Sequence, residues 1–68
     1  MQPQFILLTL PDNSSMILRV DYIKLIEACE EGSMIQLVYE DGMTVGKIIA
    51  KDTVRELYAK IKEVTRFP

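Results

Sequence analysis

Residues 33–50 constrain the fold more than any other stretch, because they describe two strands and the turn between them. The stretch reads SMIQLVYEDGMTVGKIIA, with two apolar-rich runs that meet at Asp41 and Gly42. Its β-branched and aromatic residues suit a pleated, half-buried surface. Asp-Gly favours a two-residue type I′ turn, since both central positions need positive φ. We predict a β-hairpin, in which Gly46 is typical of a bulge or of a close backbone approach.

A second hairpin is predicted over residues 4–20. The run QFILLTL at residues 4–10 has the length of a strand, and PDNSS at residues 11–15 is a turn cluster. Because successive side chains alternate between faces, this first strand is apolar on both. One of its two faces is then expected to be covered by another chain. On the first strand, one face carries Phe5, Leu7 and Thr9, and the other carries Ile6, Leu8 and Leu10. On the return strand, one face carries Ile17 and Arg19, and the other carries Met16, Leu18 and Val20.

A short helical turn and a short strand are predicted between the hairpins. Asp21 is placed to cap one turn at residues 21–24, because its side chain can accept the first free N–H groups. A longer helix over residues 22–30 would have a poor apolar stripe, so we prefer an extended segment at residues 25–28. Residues 30–32 then form a turn into the next hairpin.

The C-terminal helix is predicted over residues 52–65. Thr53 and Glu56 match a capping box, in which each side chain binds the backbone N–H of the other residue. Apolar residues recur at steps of three and four and predict a stripe that packs on the sheet: Val54, Leu57, Tyr58, Ile61 and Val64. Together the elements predict an α+β fold in a single domain of residues 1–68. It comprises a mostly antiparallel sheet of two β-hairpins plus a short strand, one short helical turn, and one C-terminal helix packed on one face.

The small size of the chain makes a partner the expected source of additional stability. The chain has 68 residues, 49% of them apolar, and a domain this short buries only about 60% of its unfolded surface. Disulfides, a metal or another chain usually supplement such domains. Cys29 is the only cysteine and histidine is absent, so we expect no internal disulfide, metal or cofactor. Self-association or another protein remains, with contacts at Phe5, Leu7, Ile17, Met34 and Val38.

Catalytic groups are missing from the sequence. Without histidine, a Ser or Cys nucleophile lacks its usual base. The acidic neighbours Glu30 and Glu31 disfavour a thiolate at Cys29. The three glycines are not followed by the Lys-Ser/Thr of a phosphate-binding loop. We therefore predict that the protein is not an enzyme and has no small-molecule substrate.

Charge is distributed unevenly along the chain. Residues 21–42 contain one lysine and six acidic residues, and residues 43–68 contain six basic and three acidic residues. This pattern indicates either solvated faces or charge complementarity between copies or with a partner. A nucleic-acid-binding regulator would use a basic patch of Lys47, Lys51, Arg55 and Lys62, but the pI near 4.9 argues against nucleic acid. A further alternative is a phage-type inhibitor or regulator of a host protein, in which the acidic segment mimics nucleic acid.

The sequence also resembles a family of small bacterial proteins. Leu18, Asp21, Ile23, Ile26 and Glu27 form the pattern L-x-x-D-x-I-x-x-I-E, which resembles the FlbD-type proteins of flagellar and swarming motility. The segments LTL at residues 8–10, IQL at 35–37, DG at 41–42 and TVRE at 53–56 occur in matching order. The strand–turn–Ile–Glu pattern is also similar to part of LytTR-type DNA-binding domains. The FlbD-type resemblance implies a non-enzymatic accessory protein. Residues 5–10 are too short for a membrane span or a signal core, so we expect a cytoplasmic location and no membrane contact.

Overall fold

The computed structural model of the protein describes residues 4–65. Its elements are β1 (Phe5–Thr9), β2 (Ser15–Arg19), a 3₁₀ turn (Val20–Tyr22), β3 (Ile23–Cys29), β4 (Gly32–Val38), β5 (Val45–Ala50) and α1 (Val54–Thr65). Strands β1 and β2 form one antiparallel sheet, and β3, β4 and β5 form a second antiparallel sheet in that order. The predicted α+β fold is confirmed, with the strands divided between two sheets.

A common core lies between the two sheets and the helix. Alternate residues of β1, β2 and β4 face this core, as the pleat requires. Helix α1 contacts β1 and β3, so the helix and the β1–β2 hairpin share the inner side of the three-stranded sheet. The buried apolar residues are Ile6, Leu8, Leu18, Ile35, Leu37, Ala50 and Leu57.

The loop between β4 and β5 differs from the predicted type I′ turn. It spans residues 39–44, and the N–H of Tyr39 donates to the carbonyl of Thr44 at 2.9 Å. Gly42 has a φ of 71°, whereas Asp41 is not among the residues with positive φ. The Asp41 carboxylate instead accepts the N–H groups of Met43 and Thr44 at 2.9 and 2.8 Å. The prediction was wrong because Asp41 acts through its side chain and so favours a longer loop.

Of the two alternatives predicted for Gly46, a bulge or a close backbone approach, the bulge is wrong. Strands β4 and β5 pair in continuous register from Ser33–Ala50 to Val38–Val45. Gly46 lies under the aromatic ring of Tyr39, since a Cβ at this position would be 3.8 Å from the Tyr39 hydroxyl. The irregularity lies in β3, where the register shifts between Ile23 and Leu25.

The segment between the hairpins is confirmed as a short helical turn followed by a strand. Residues 25–28 lie within β3, as predicted. The cap is different, because the turn begins after Arg19 and no side chain caps it. Asp21 lies inside the turn and instead forms an ion pair with Arg19 at 3.4 Å.

The start of helix α1 confirms the capping box. Thr53 Oγ1 accepts the N–H of Glu56 at 3.1 Å, and Glu56 Oε1 accepts the N–H of Thr53 at 2.8 Å. Leu57 is buried, and Ile61 and Val64 pack against the core. Tyr58 was wrongly placed in the packed stripe, since it is 65% exposed. Its position, one residue after Leu57, turns it about 100° away from the core-facing line of the helix.

Candidate protein-contact surfaces

Three of the predicted contact residues form one exposed apolar cluster, which we call the hairpin face. It consists of Phe5, Leu7 and Ile17, on the side of the β1–β2 sheet that turns away from the core. Leu7 and Ile17 are directly paired across the strands. Their exposures are 49% for Phe5, 55% for Leu7 and 67% for Ile17. Strand alternation explains the cluster, because the neighbouring residues Ile6 and Leu8 fill the core.

Polar side chains close the outer edge of β1. The N–H of Thr9 donates to Asp52 Oδ1 at 2.8 Å, and the carbonyl of Thr9 accepts the N–H of Lys51 at 2.7 Å. Lys60 Nζ donates to the carbonyl of Leu7 at 2.6 Å and to Asp52 Oδ2 at 2.7 Å. Both outward backbone groups of Thr9 and the carbonyl of Leu7 are therefore bonded to the segment around Asp52 and to the helix, which opposes the addition of another strand at this edge.

Hydrogen bonding controls the ionisation of Asp52. Burial is the largest single influence and would raise the pKa of this carboxyl, whereas the hydrogen bond from Lys60 lowers it. The Thr9 N–H and the charge of Lys60 act in the same direction, so the pKa lies below its ordinary value. Because both carboxylate oxygens are occupied and the Asp52 carbonyl accepts the Ser33 hydroxyl at 2.7 Å, this residue connects the sheets and the helix.

Two loop carboxylates and one arginine are also perturbed. Hydrogen bonds from Ser14 to Asp12, and from Thr44 and Met43 to Asp41, lower the pKa values of these two carboxyls. For Arg19, burial lowers the pKa, but Tyr22 and the nearby acidic groups together raise it above the ordinary value. These are turn and ion-pair contacts, and none of them forms an arrangement of an acid and a base around a cavity.

The outer edge of β2 is open. The N–H of Leu10 donates to the carbonyl of Ser14, and the N–H of Val20 donates to the carbonyl of Gln4. In this register the even-numbered residues of β1 form the backbone hydrogen bonds to β2. The backbone N–H and C=O groups of Ser15, Ile17 and Arg19 consequently point away from β1. A cleft of about 430 Å³ lies beside this edge. The residues that line it include Met16, Ile17, Tyr22, Tyr39 and Ile48.

Arg19 lies at the end of the open edge and is fixed by its neighbours. Its Nη1 donates to Glu40 Oε1 at 2.9 Å, and its guanidinium lies 5.1 Å from the centre of the Tyr22 ring. Tyr22 in turn packs edge-on against Tyr39 at 5.1 Å. Arg19 Nε is a buried donor without a partner within residues 4–65. The network directs the Arg19 side chain toward the tyrosines, leaving the middle of β2 uncovered.

The other two predicted contact residues, Met34 and Val38, lie on a different surface. Both are half-buried on the outer face of the three-stranded sheet, where they pair with Ile49 and Val45. This face also carries Leu25, Gln36 and Lys47. Sequence reasoning missed Val45 and Leu25, although the continuous register of β4 and β5 would have placed Val45 beside Val38. The structure therefore divides the five predicted residues between two faces.

The four residues of the predicted basic patch are dispersed. Lys47 is paired with Gln36 on the outer face of the three-stranded sheet. Lys51 Nζ donates to Asn13 Oδ1 at 2.7 Å in the first hairpin loop. Arg55 and Lys62 lie on the exposed side of α1, where Lys62 Nζ is 6.0 Å from the centre of the Tyr58 ring. Acidic Glu56 and Glu63 lie on the same helix.

Neither a metal centre nor a helical membrane span is found in the described part of the chain. Within residues 4–65, His, Cys, Asp and Glu side chains form no group of three that could hold a metal ion. No described helix is long and apolar enough to cross a membrane. Comparisons with protein-family models, curated proteins and solved structures find no match to this chain.

Proposed function

We propose that this chain is a non-enzymatic protein-binding module that acts through protein–protein contacts and associates with itself. The observation that carries the proposal is the hairpin face, where Phe5, Leu7 and Ile17 are each about half exposed or more. Contiguous apolar side chains of this kind mark interaction sites more often than scattered ones do. A two-stranded hairpin is also marginal by itself and gains stability when its exposed face or edge is covered.

The distribution of charge supports a protein as the partner. The four basic residues that nucleic-acid binding would use are divided among β5, the segment after it and α1. Lys51 already contacts Asn13, and Lys62 already contacts Tyr58. Duplex binding depends largely on phosphate neutralisation by clustered cations. The proposal includes a cytoplasmic accessory role in bacterial motility, which the resemblance of the L-x-x-D-x-I-x-x-I-E segment to FlbD-type proteins supports.

Self-association is tested by sedimentation velocity and light scattering over a micromolar concentration range. We expect the wild-type chain to be larger than a monomer and Ile17→Glu to be smaller, because the charge lies on the most exposed residue of the hairpin face. Met43→Glu is the matched control, since Met43 is 84% exposed in the 39–44 loop and outside that face. A wild-type chain that stays monomeric at every concentration contradicts the proposed self-association.

A further inference from the structure

We propose that a second copy of this chain adds to the open edge of β2, so that two hairpins join in one four-stranded antiparallel sheet. This inference rests on the proposed function and names the strand through which self-association takes place. It starts from the outward N–H and C=O groups of Ser15 and Ile17 and the N–H of Arg19, for which the described part of the chain supplies no hydrogen-bond partner. The Arg19 carbonyl is already used, because it accepts the N–H of Tyr22 in the 3₁₀ turn. Such a row of donors and acceptors is a template for another strand.

The other edges of the two sheets each carry a feature that opposes strand addition. The edge of β1 is bonded to Asp52, Lys51 and Lys60. Strand β3 contains the register shift between Ile23 and Leu25, and bulges disrupt edge pairing. The outward groups of β5 centre on Lys47, where antiparallel self-pairing would bring two lysines together. Strand β2 has none of these features at Ser15 and Ile17.

The side chains of β2 favour a second copy as the occupant. In antiparallel pairing about Ile17, this residue faces its own equivalent, and Ser15 faces Arg19 of the other copy. No like charges meet in this register, and the pairing supplies about four backbone hydrogen bonds, two between the Ile17 residues and one in each Ser15–Arg19 pair. Ile17 is β-branched and 67% exposed, so the central pair also buries apolar surface.

The assembled sheet would enlarge the hairpin face. Leu7 pairs with Ile17 in each copy, so the two pairs would lie in one continuous row across four strands. Phe5 would extend the apolar surface on both sides. The cleft beside β2, about 430 Å³ in volume, shows that the described part of the chain leaves space along this edge. Dimerisation would thus join the two hairpin faces into one apolar surface.

A proline at the centre of β2 tests the role of the backbone. Ile17→Pro removes one outward N–H and leaves the β1–β2 hydrogen bonds in place, a position that edge strands tolerate. We expect it to raise the dissociation constant of the dimer by about tenfold or more. Lys47→Pro is the matched control, because it removes an outward N–H from the other regular edge, and it should leave the dimer unchanged. Circular dichroism reports whether each variant is folded.

Cross-linking gives a second readout that does not depend on the proline variant. In a Cys29→Ser background, Ile17→Cys places two cysteines at the centre of the proposed strand pair. Their Cα atoms would lie about 5.5 Å apart, within the range of a disulfide. We expect oxidised glutathione to convert this variant to a covalent dimer. Phe5→Cys and Lys47→Cys, in the same background, should remain mostly uncross-linked.

The outcomes separate this inference from the proposed function. A chain that is monomeric at all concentrations overturns both. Strand addition is overturned, and self-association stands, if the oligomer tolerates Ile17→Pro and does not cross-link through Ile17→Cys. In that case cross-links would form through Phe5→Cys or Lys47→Cys instead. Cross-linking confined to Ile17→Cys, with dissociation by Ile17→Pro, supports the four-stranded sheet.

Discussion

Replacement of Asp52 by asparagine should destabilise the fold, because this carboxylate joins three parts of the chain. Its two oxygens accept hydrogen bonds from the N–H of Thr9 and from Lys60 Nζ at 2.8 and 2.7 Å. Its side chain is only 8% exposed. An asparagine has a single acceptor oxygen, so one of the two bonds is lost and an NH₂ group faces a donor instead.

The size of the effect follows from these contacts. A hydrogen bond to a charged group contributes about 1.5–3 kcal/mol. The Lys60 side chain is 37% exposed and keeps its bond to the Leu7 carbonyl, so solvent screening reduces the loss for Asp52→Asn to about 1–2 kcal/mol. Asp52→Ala loses both bonds and should cost about 2–4 kcal/mol. Such losses are large beside the stability of about 3–10 kcal/mol expected for a chain of this length.

Urea unfolding at one fixed protein concentration measures these differences, since self-association would otherwise change the apparent stability. The pKa of folded Asp52 lies below its ordinary value of 3.8, so its stabilising contribution is complete above about pH 5. The contribution is lost as the pH falls through the folded pKa, and the wild-type and Asp52→Asn curves should converge there. Asp12→Asn is the control, because within residues 4–65 the Asp12 carboxylate accepts hydrogen bonds from Ser14 alone, two positions along the chain. Equal effects of Asp52→Asn and Asp12→Asn at pH 7 would refute the reasoning.

Three further predictions concern the helix and the glycines, each checked by the same unfolding assay. Leu57→Ala should lower the free energy of unfolding by about 2–5 kcal/mol because Leu57 is fully buried, whereas Tyr58→Ala should change it by less than about 1 kcal/mol. Similar losses for the two variants would contradict the orientation of the helix. Thr53→Ala should lower the free energy of unfolding by about 1 kcal/mol, and Thr53→Ser should lower it much less, because serine keeps the cap. Equal stabilities of these two variants would argue against the capping box. Gly32→Ala should cost more than about 2 kcal/mol, since its Cβ would lie 2.5 Å from the Ala50 carbonyl oxygen at a φ of 144°. Gly42→Ala, with open space and a φ of 71°, should cost about 1 kcal/mol.

Local patterns accounted for most of the elements. Alternation in residues 4–20 correctly separated Ile17 from Leu18, because each side chain of a strand takes the face opposite to its neighbour's. The Thr53–Glu56 capping box formed as predicted, since its bonds connect residues only three apart. The extended segment at residues 25–28 was recognised because a helix there would have lacked an apolar stripe.

The candidate contact residues were predictable only as apolar side chains on exposed strand faces. Their division between the hairpin face and the three-stranded sheet depends on which strands pair, and pairing is a property of distant segments. The open edge of β2 had a local signal, since the register of the first hairpin determines which backbone groups point outward. The bonding of the outer edge of β1 had no local signal in the sequence, because Thr9 and Asp52 are 43 residues apart.

By itself, the sequence determined the strands, the helix, the cap and the alternation of faces, all of which arise from interactions over a few residues. The tertiary structure decided the separation into two sheets, the exposure of Tyr58 and the contacts of Asp52 with Thr9 and Lys60. It also decided which sheet edges remain open. These features depend on how distant segments fill a common core, where burial and hydrogen-bond satisfaction are optimised for the whole chain and not for each segment.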